Sequence, residues 1–274
     1  MQTGTITSEE AELVFDYEGS GPVLLTIAGG GGSAARYGPI SSRLKDEYTV
    51  VRYDRRGNSR STGDTTQPLD MAQQARDAVA IISSLTDAGA YVFGNSAGAN
   101  IALALVAHHP QIVLGAILHE PPIISLLPDA AQEFDFLDKV ESVFKRDGAQ
   151  AAMKLFAQSI VGFAPTVAED ERRMGDSDAT SNLDFFFSQE FRNISRFEPD
   201  VERLKQSKVP MIAAAGEQSG TAYYARSTKL LSEVIGCEFK LMSGHHLGFI
   251  ADPETFSAEL RAFLNDLRHA EKAR

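Results

Sequence analysis

The chain has one cysteine, Cys237, in 274 residues. A lone thiol excludes an internal disulfide framework and any zinc site built from cysteines. Long hydrophobic runs are also missing. The longest apolar stretches are strand-length, far short of the roughly 20 residues a membrane span needs. Positive charge is scarce: 26 Lys and Arg face 37 Asp and Glu, a formal net charge of -11. Binding a phosphate backbone needs clustered Lys and Arg, so no nucleic-acid partner is expected. The N-terminal MQTGTITSEEAELVF carries acids where a signal peptide would carry bases, and no apolar run follows. The expectation is a cytoplasmic protein with no membrane partner.

What is present is ordinary globular composition, 43% hydrophobic and 23% charged, enough to bury a sizeable core in one or two domains. Short apolar runs at Val23–Ala28, Tyr48–Tyr53, Ala90–Phe93, Val113–Leu118, Val209–Ala215 and Phe239–Met242 read as strands. Met71–Leu85, Ala97–His109 and Pro253–Leu267 read as helices between or after them. Apolar strands alternating with helices predict an α/β fold, a mostly parallel sheet with helices on both faces. Residues 3–21 partly alternate and predict an antiparallel edge hairpin.

One segment breaks the alternation. From Pro121 to Lys208 the pattern predicts only helices, at Ala130–Phe144, Ala149–Val161 and Ser181–Ile194. The expected division is a core of 1–120 and 209–274 with a helical insertion, 121–208. The insertion is rich in phenylalanine, Phe134, Phe144, Phe156, Phe186 and Phe191 among them. These rings either form the insertion's own core or roof an apolar pocket.

The sequence Gly94-Asn95-Ser96-Ala97-Gly98 follows a strand and opens a helix. This is G-x-S-x-G in the context its chemistry requires: a sharp, strained turn that pushes the serine hydroxyl out at the carboxyl end of the sheet. The helix N-terminus beneath favours developing negative charge. The glycines avoid clashes with the neighbouring strand and helix. A rival pattern overlaps the earlier glycine run. Gly29-x-Gly31-x-x-Ala34 after a strand, with Asp54 further on, also fits a dinucleotide fingerprint. That reading leaves the serine turn unexplained.

Taken with three further landmarks, the chain resembles the α/β-hydrolase superfamily over nearly its whole length. Ala28-Gly29-Gly30-Gly31-Gly32 follows what would be the third strand. Asp54-Arg55-Arg56-Gly57-Asn58-Ser59-Arg60-Ser61 is similar to the family's D-x-R-G-x-G-x-S turn, with Ser59 at its second glycine. Ser243-Gly244-His245-His246, followed by Asp252-Pro253, resembles its histidine loop and last helix. The helical insertion sits where the family carries its cap.

The resemblance implies roles for particular residues. Ser96 is the nucleophile, and the N–H groups of Gly30 and Ala97 form the oxyanion hole. Ala28-Gly29 replaces the usual His-Gly, which removes a bracing hydrogen bond and leaves the donor. Counting back from Pro253 selects His246 as general base, whereas the rule of a histidine directly after glycine selects His245. His108, His109 and His119 are read as structural, and His269 lies in the C-terminal tail. The acid is where the pattern departs, because Ser219 stands at the expected aspartate. Two replacements are available, Glu120 after the Val113–Leu118 strand and Glu217 two positions early; the third option is a site with no working acid. Asp54, Arg55 and Arg56 are read as bracing loops beside the site.

The function implied is hydrolysis of a small, partly apolar ester or lactone through an acyl-enzyme. No metal or organic cofactor is expected, the partner is a small-molecule substrate, and a homo-oligomer stays open. Two other classes remain. One is a catalytically weak ligand-binding member of the fold, prompted by Ser219. The other is a cofactor-free lyase or thioesterase on the same scaffold.

Overall fold

The structure, a computed structural model, describes residues 1–163 and 176–272. Among them eight strands form one sheet: β1 (Gln2–Ser8), β2 (Ala11–Glu18), β3 (Val23–Ile27), β4 (Thr49–Tyr53), β5 (Ala90–Asn95), β6 (Val113–His119), β7 (Met211–Gly216) and β8 (Glu238–Met242). Their order is β1-β2-β4-β3-β5-β6-β7-β8. β1 and β2 form the expected edge hairpin, and β2 runs antiparallel to β4. The remaining neighbours pair in parallel.

The α-helices among the described residues are α1 (Gly38–Leu44), α2 (Met71–Leu85), α3 (Ala97–His108), α4 (Ala130–Asp147), α5 (Ala149–Phe156), α6 (Asp176–Phe185), α7 (Phe191–Ser195), α8 (Val201–Ser207), α9 (Tyr223–Ile235), α10 (Gly248–Ala251) and α11 (Pro253–Lys272). Successive strand residues point to opposite faces, and β5 shows the result. Tyr91 and Phe93 join one core with Ile40 and Leu44 of α1 and Leu260 and Leu264 of α11. Val92 joins the other core with Ile81 of α2, Ile101 of α3 and Leu231 of α9. Both faces are covered, which is why the inner strands read as unbroken apolar runs.

Between β6 and β7 the described residues hold helices and no strand. Residues 164–175 of the expected insertion, and 273–274 at the C-terminus, lie outside the described residues. Two expected helices are shorter or broken. α5 gives way at Ala157–Ser159 to a 3-10 turn. The stretch expected as one helix over Ser181–Ile194 is interrupted by a π-helical turn, Phe186–Glu190, between α6 and α7. α8 packs against α3, and its Leu204 sits in the core beneath the sheet. No helix among the described residues is long and apolar enough to cross a membrane.

The strand order creates the functional crevice. β3 lies between β4 and β5, so the winding reverses there, and the loops leaving β3 and β5 diverge at their carboxyl ends. The register keeps those ends level: Ile27 lies opposite Gly94, Asn95 opposite His119, His119 opposite Ala214, and Gly216 opposite Met242. Backbone packing at this point leaves no space for side chains. A Cβ at Gly98 would strike the Ile27 carbonyl oxygen, and one at Gly94 would strike the Gly98 carbonyl oxygen. Overpacking a site walled by backbone has no flexible neighbour to absorb it. Gly98→Ala is therefore expected to lower unfolding free energy by about 3 kcal/mol or to prevent soluble folding. Urea denaturation checks this, and wild-type stability would contradict it.

Candidate active site

Each candidate side chain comes from the end of a different strand. Ser96 follows β5 with φ 56° and ψ -125°, a strained conformation for a residue with a side chain. Its N–H donates to the His119 carbonyl at 2.9 Å, which ties the turn to β6. Glu120, one residue past β6, is also at positive φ, 52°. Its N–H donates to the Ala214 carbonyl at 3.0 Å. Strain at two adjacent strand ends marks the place where the fold holds groups against their local preference.

Glu120 is fully buried. One carboxylate oxygen accepts the Gly216 N–H at 2.8 Å, and the other lies 2.7 Å from His246 Nδ1. Burial alone would raise the pKa of this carboxyl. The His246 hydrogen bond and the neighbouring imidazoles outweigh burial and hold it below the usual carboxylate value. With the Glu120 carboxylate at Nδ1, the other imidazole nitrogen, Nε2, is left for chemistry. Tyr224 of α9 packs on the His246 ring with centroids 4.3 Å apart. The Tyr224 hydroxyl accepts the Val161 N–H at 2.9 Å, so one ring links the imidazole to the insertion.

Ser96, His246 and Gly30 line a cavity of about 420 Å³, together with Ala97. No other described residue engages the N–H groups of Gly30 and Ala97. The Ser96 hydroxyl makes no hydrogen bond to the imidazole, and catalytic contacts of this type commonly tighten only around substrate. The walls are mainly apolar, with Leu137, Met153, Phe156, Phe186, Phe191 and Ile194 from the insertion. Phe156, Phe186 and Phe191 face the cavity, while Phe144 and Phe187 stack behind them. Arg36 also lines the cavity, and its guanidinium donates to the Gly30 carbonyl at 3.3 Å.

The alternatives lie elsewhere. His245 Nδ1 accepts the Leu247 N–H at 3.2 Å, and its ring packs on Gly162. Glu217 is exposed in the 3-10 turn Glu217–Ser219. Ser219 is buried beside Glu120 and Tyr224, without a hydrogen bond of ordinary geometry to either. Asp54 accepts the Ala34 N–H at 2.7 Å and is ion-paired with Arg60. It is thus committed to bracing the glycine turn, in place of the ribose contact a dinucleotide site would need. No cluster of His, Cys, Asp or Glu suited to a metal occurs among the described residues.

Two contributors were not singled out from the sequence. The Asn95 side-chain amide donates both to the His246 carbonyl at 3.2 Å and to His119 Nδ1 at 2.8 Å. Asn182 of α6 donates to Ser59 Oγ at 2.7 Å and accepts the Ser59 N–H at 2.8 Å. Ser59 sits at φ 49°, in the left-handed region that favours glycine, and the two Asn182 hydrogen bonds brace it there. Neither stands out in the sequence: Asn95 is the variable position of the serine turn, and Asn182 lies in the polar run Thr180-Ser181-Asn182.

The sequence pattern of the alpha/beta hydrolase fold family matches residues 22–205. The chain belongs to the α/β-hydrolase fold family. "Uncharacterized hydrolase YraK" of Bacillus subtilis (strain 168) is 29% identical over 269 residues, 96% of each chain. A thermophilic esterase from Thermogutta terrifontis superposes with a TM-score of 0.77 at 19% identity, over 97% of this chain and 99% of that one. A carboxylesterase structure from Nitrososphaera gargenis superposes with a TM-score of 0.76 at 21% identity, over 97% and 99%. In this α/β-hydrolase the β5 elbow, the glycine turn after β3 and the histidine loop after β8 meet at the crevice described above.

His119 generates a pH prediction. Burial lowers its pKa from 6.5 to about 4. The unfolded chain therefore takes up this proton near pH 6.5, while the folded protein refuses it until about pH 4. The stability so conferred is complete above pH 6.5 and declines as pH falls from 6.5 to 4, by up to about 3 kcal/mol. The contribution of Glu120, whose pKa is depressed from 4.5, is lost only at lower pH. His119→Gln, which keeps an acceptor for Asn95, should flatten the decline. Urea denaturation at pH 7 and pH 4.5 measures it, and an unchanged slope would contradict the assignment.

Proposed function

We propose that this α/β-fold hydrolase cleaves a small, partly apolar ester or lactone through an acyl-enzyme. The observation that carries the reading is the 2.7 Å contact between His246 Nδ1 and a buried Glu120 carboxylate, at a cavity that also holds Ser96. His246 Nε2 takes the proton from the Ser96 hydroxyl as Oγ attacks the substrate carbonyl. Glu120 orients the ring and stabilises the cation that forms. The developing oxyanion accepts from the Gly30 and Ala97 N–H groups. His246 then returns the proton to the leaving oxygen, and the C–O bond breaks. Water, deprotonated by the same imidazole, resolves the acyl-serine. The esterases with this fold, and a cavity of about 420 Å³ with apolar walls, support an uncharged acyl substrate of modest size.

Fluorophosphonate labelling and short p-nitrophenyl esters test it. Ser96→Ala should abolish labelling and lower kcat by about 10³-fold or more. Glu120→Gln should lower kcat by about 10²-fold or more with little change in KM. Absence of labelling in the wild type would sink the hydrolase reading. Near-full activity in Glu120→Gln would sink the acid assignment alone.

A further inference from the structure

We propose that Glu190, acting through Arg55, is a positioning residue for the oxyanion hole: the pair orients the Gly29–Gly30 peptide so that the Gly30 N–H points into the cavity. The inference rests on the reading of Gly30 as an oxyanion donor.

The C=O and N–H of a planar trans peptide point in opposite directions. The Gly29 carbonyl and the Gly30 N–H belong to one such unit, so whatever holds the carbonyl aims the N–H. That carbonyl accepts from Arg55 Nη2 at 2.9 Å and from the Gly32 N–H at 3.1 Å. Arg55 is itself immobilised. Its Nη1 and Nη2 donate to the two carboxylate oxygens of Glu190 at 2.6 Å and 2.9 Å, and both side chains are completely buried. Asn58 adds a third donor to Glu190 at 3.2 Å. A guanidinium gripped on both η nitrogens has one orientation left, and in it the remaining Nη2 proton meets Gly29. Lysine has no such fork.

Glu190 closes the π-helical turn Phe186–Glu190, and the other end of that turn touches the same peptide. A Cβ at Gly30 would lie 2.5 Å from the Phe186 ring. One turn of the inserted segment thus presses on Gly30 and clamps Gly29. Neither Arg55 nor Glu190 lines the cavity, so neither touches substrate. Loosening the clamp should therefore weaken an interaction that matters when the oxyanion forms, and leave ground-state binding nearly intact.

The test compares wild type, Glu190→Gln and the double variant Arg55→Met/Glu190→Leu, which removes both buried charges together and avoids an unpaired one. With p-nitrophenyl esters, kcat should fall about 10- to 100-fold in folded variants, with KM within about twofold and the pH profile unmoved. Affinity for phenylboronic acid, whose Ser96 adduct carries an anionic oxygen, should fall in the same proportion. Wild-type kcat in a folded variant, or a loss confined to KM, would overturn the proposal. Loss of the fold in both variants would too, since the pair would then serve only to hold the insertion in place. Failure of the underlying reading looks different: the wild type itself would show no Ser96-dependent turnover and no boronate binding.

Discussion

The structure depends on the close approach of three backbones at the end of β5. Gly94, Gly98 and Ile27 pack so tightly that a single added carbon has nowhere to go. The chain can pass only by turning sharply, and the turn forces Ser96 to positive φ. The same crowding brings the glycine run after β3 against the serine, with a Cβ at Gly29 lying 3.2 Å from Ser96 Cβ. The candidate nucleophile and the candidate oxyanion donors are neighbours because the sheet leaves them no separation.

Around that turn the protein buries charge against opposite charge, with only Arg55 Nε and Asn58 Oδ1 of this group left without a partner among the described residues. Glu120 has the Gly216 N–H and the His246 imidazole; Arg55 and Glu190 have each other, Gly29 and Asn58. Burying a charge costs several kcal/mol unless hydrogen bonds satisfy it. These groups fix geometry more than they add stability. The first pair sets the imidazole, and the second joins the insertion to the loop after β3. The π-helical turn belongs to this arrangement, since it buries Phe186 and Glu190 in the same short stretch of chain.

Much of the fold was legible because strand and helix periodicity survive in short apolar runs. β3 to β8 lie where those runs fall, and β1 and β2 lie where the chain alternates. Helices α1 and α9 were not read out. Their buried positions, such as Ser227 and Thr228 beside Leu231, mix polar with apolar residues. The π-helical turn was equally invisible, since Phe185-Phe186-Phe187 satisfies any helical register. Its position is decided by docking against Gly30 and Gly57.

The candidate site divides along the same line. The amino-acid order alone determined the strand-glycine-serine-glycine-helix turn, the glycine run and the late histidine pair, because those motifs are local and their chemistry is written in adjacent residues. It also determined that Ser219 has no charge to offer. It favoured Glu120 over Glu217 and His246 over His245, but could not test either preference, because each turns on which strand ends are neighbours. The register of β5, β6, β7 and β8 brings Glu120 and His246 together and leaves Glu217 exposed. A contact between residues 126 positions apart exists only once the sheet has formed, so tertiary structure alone could decide it.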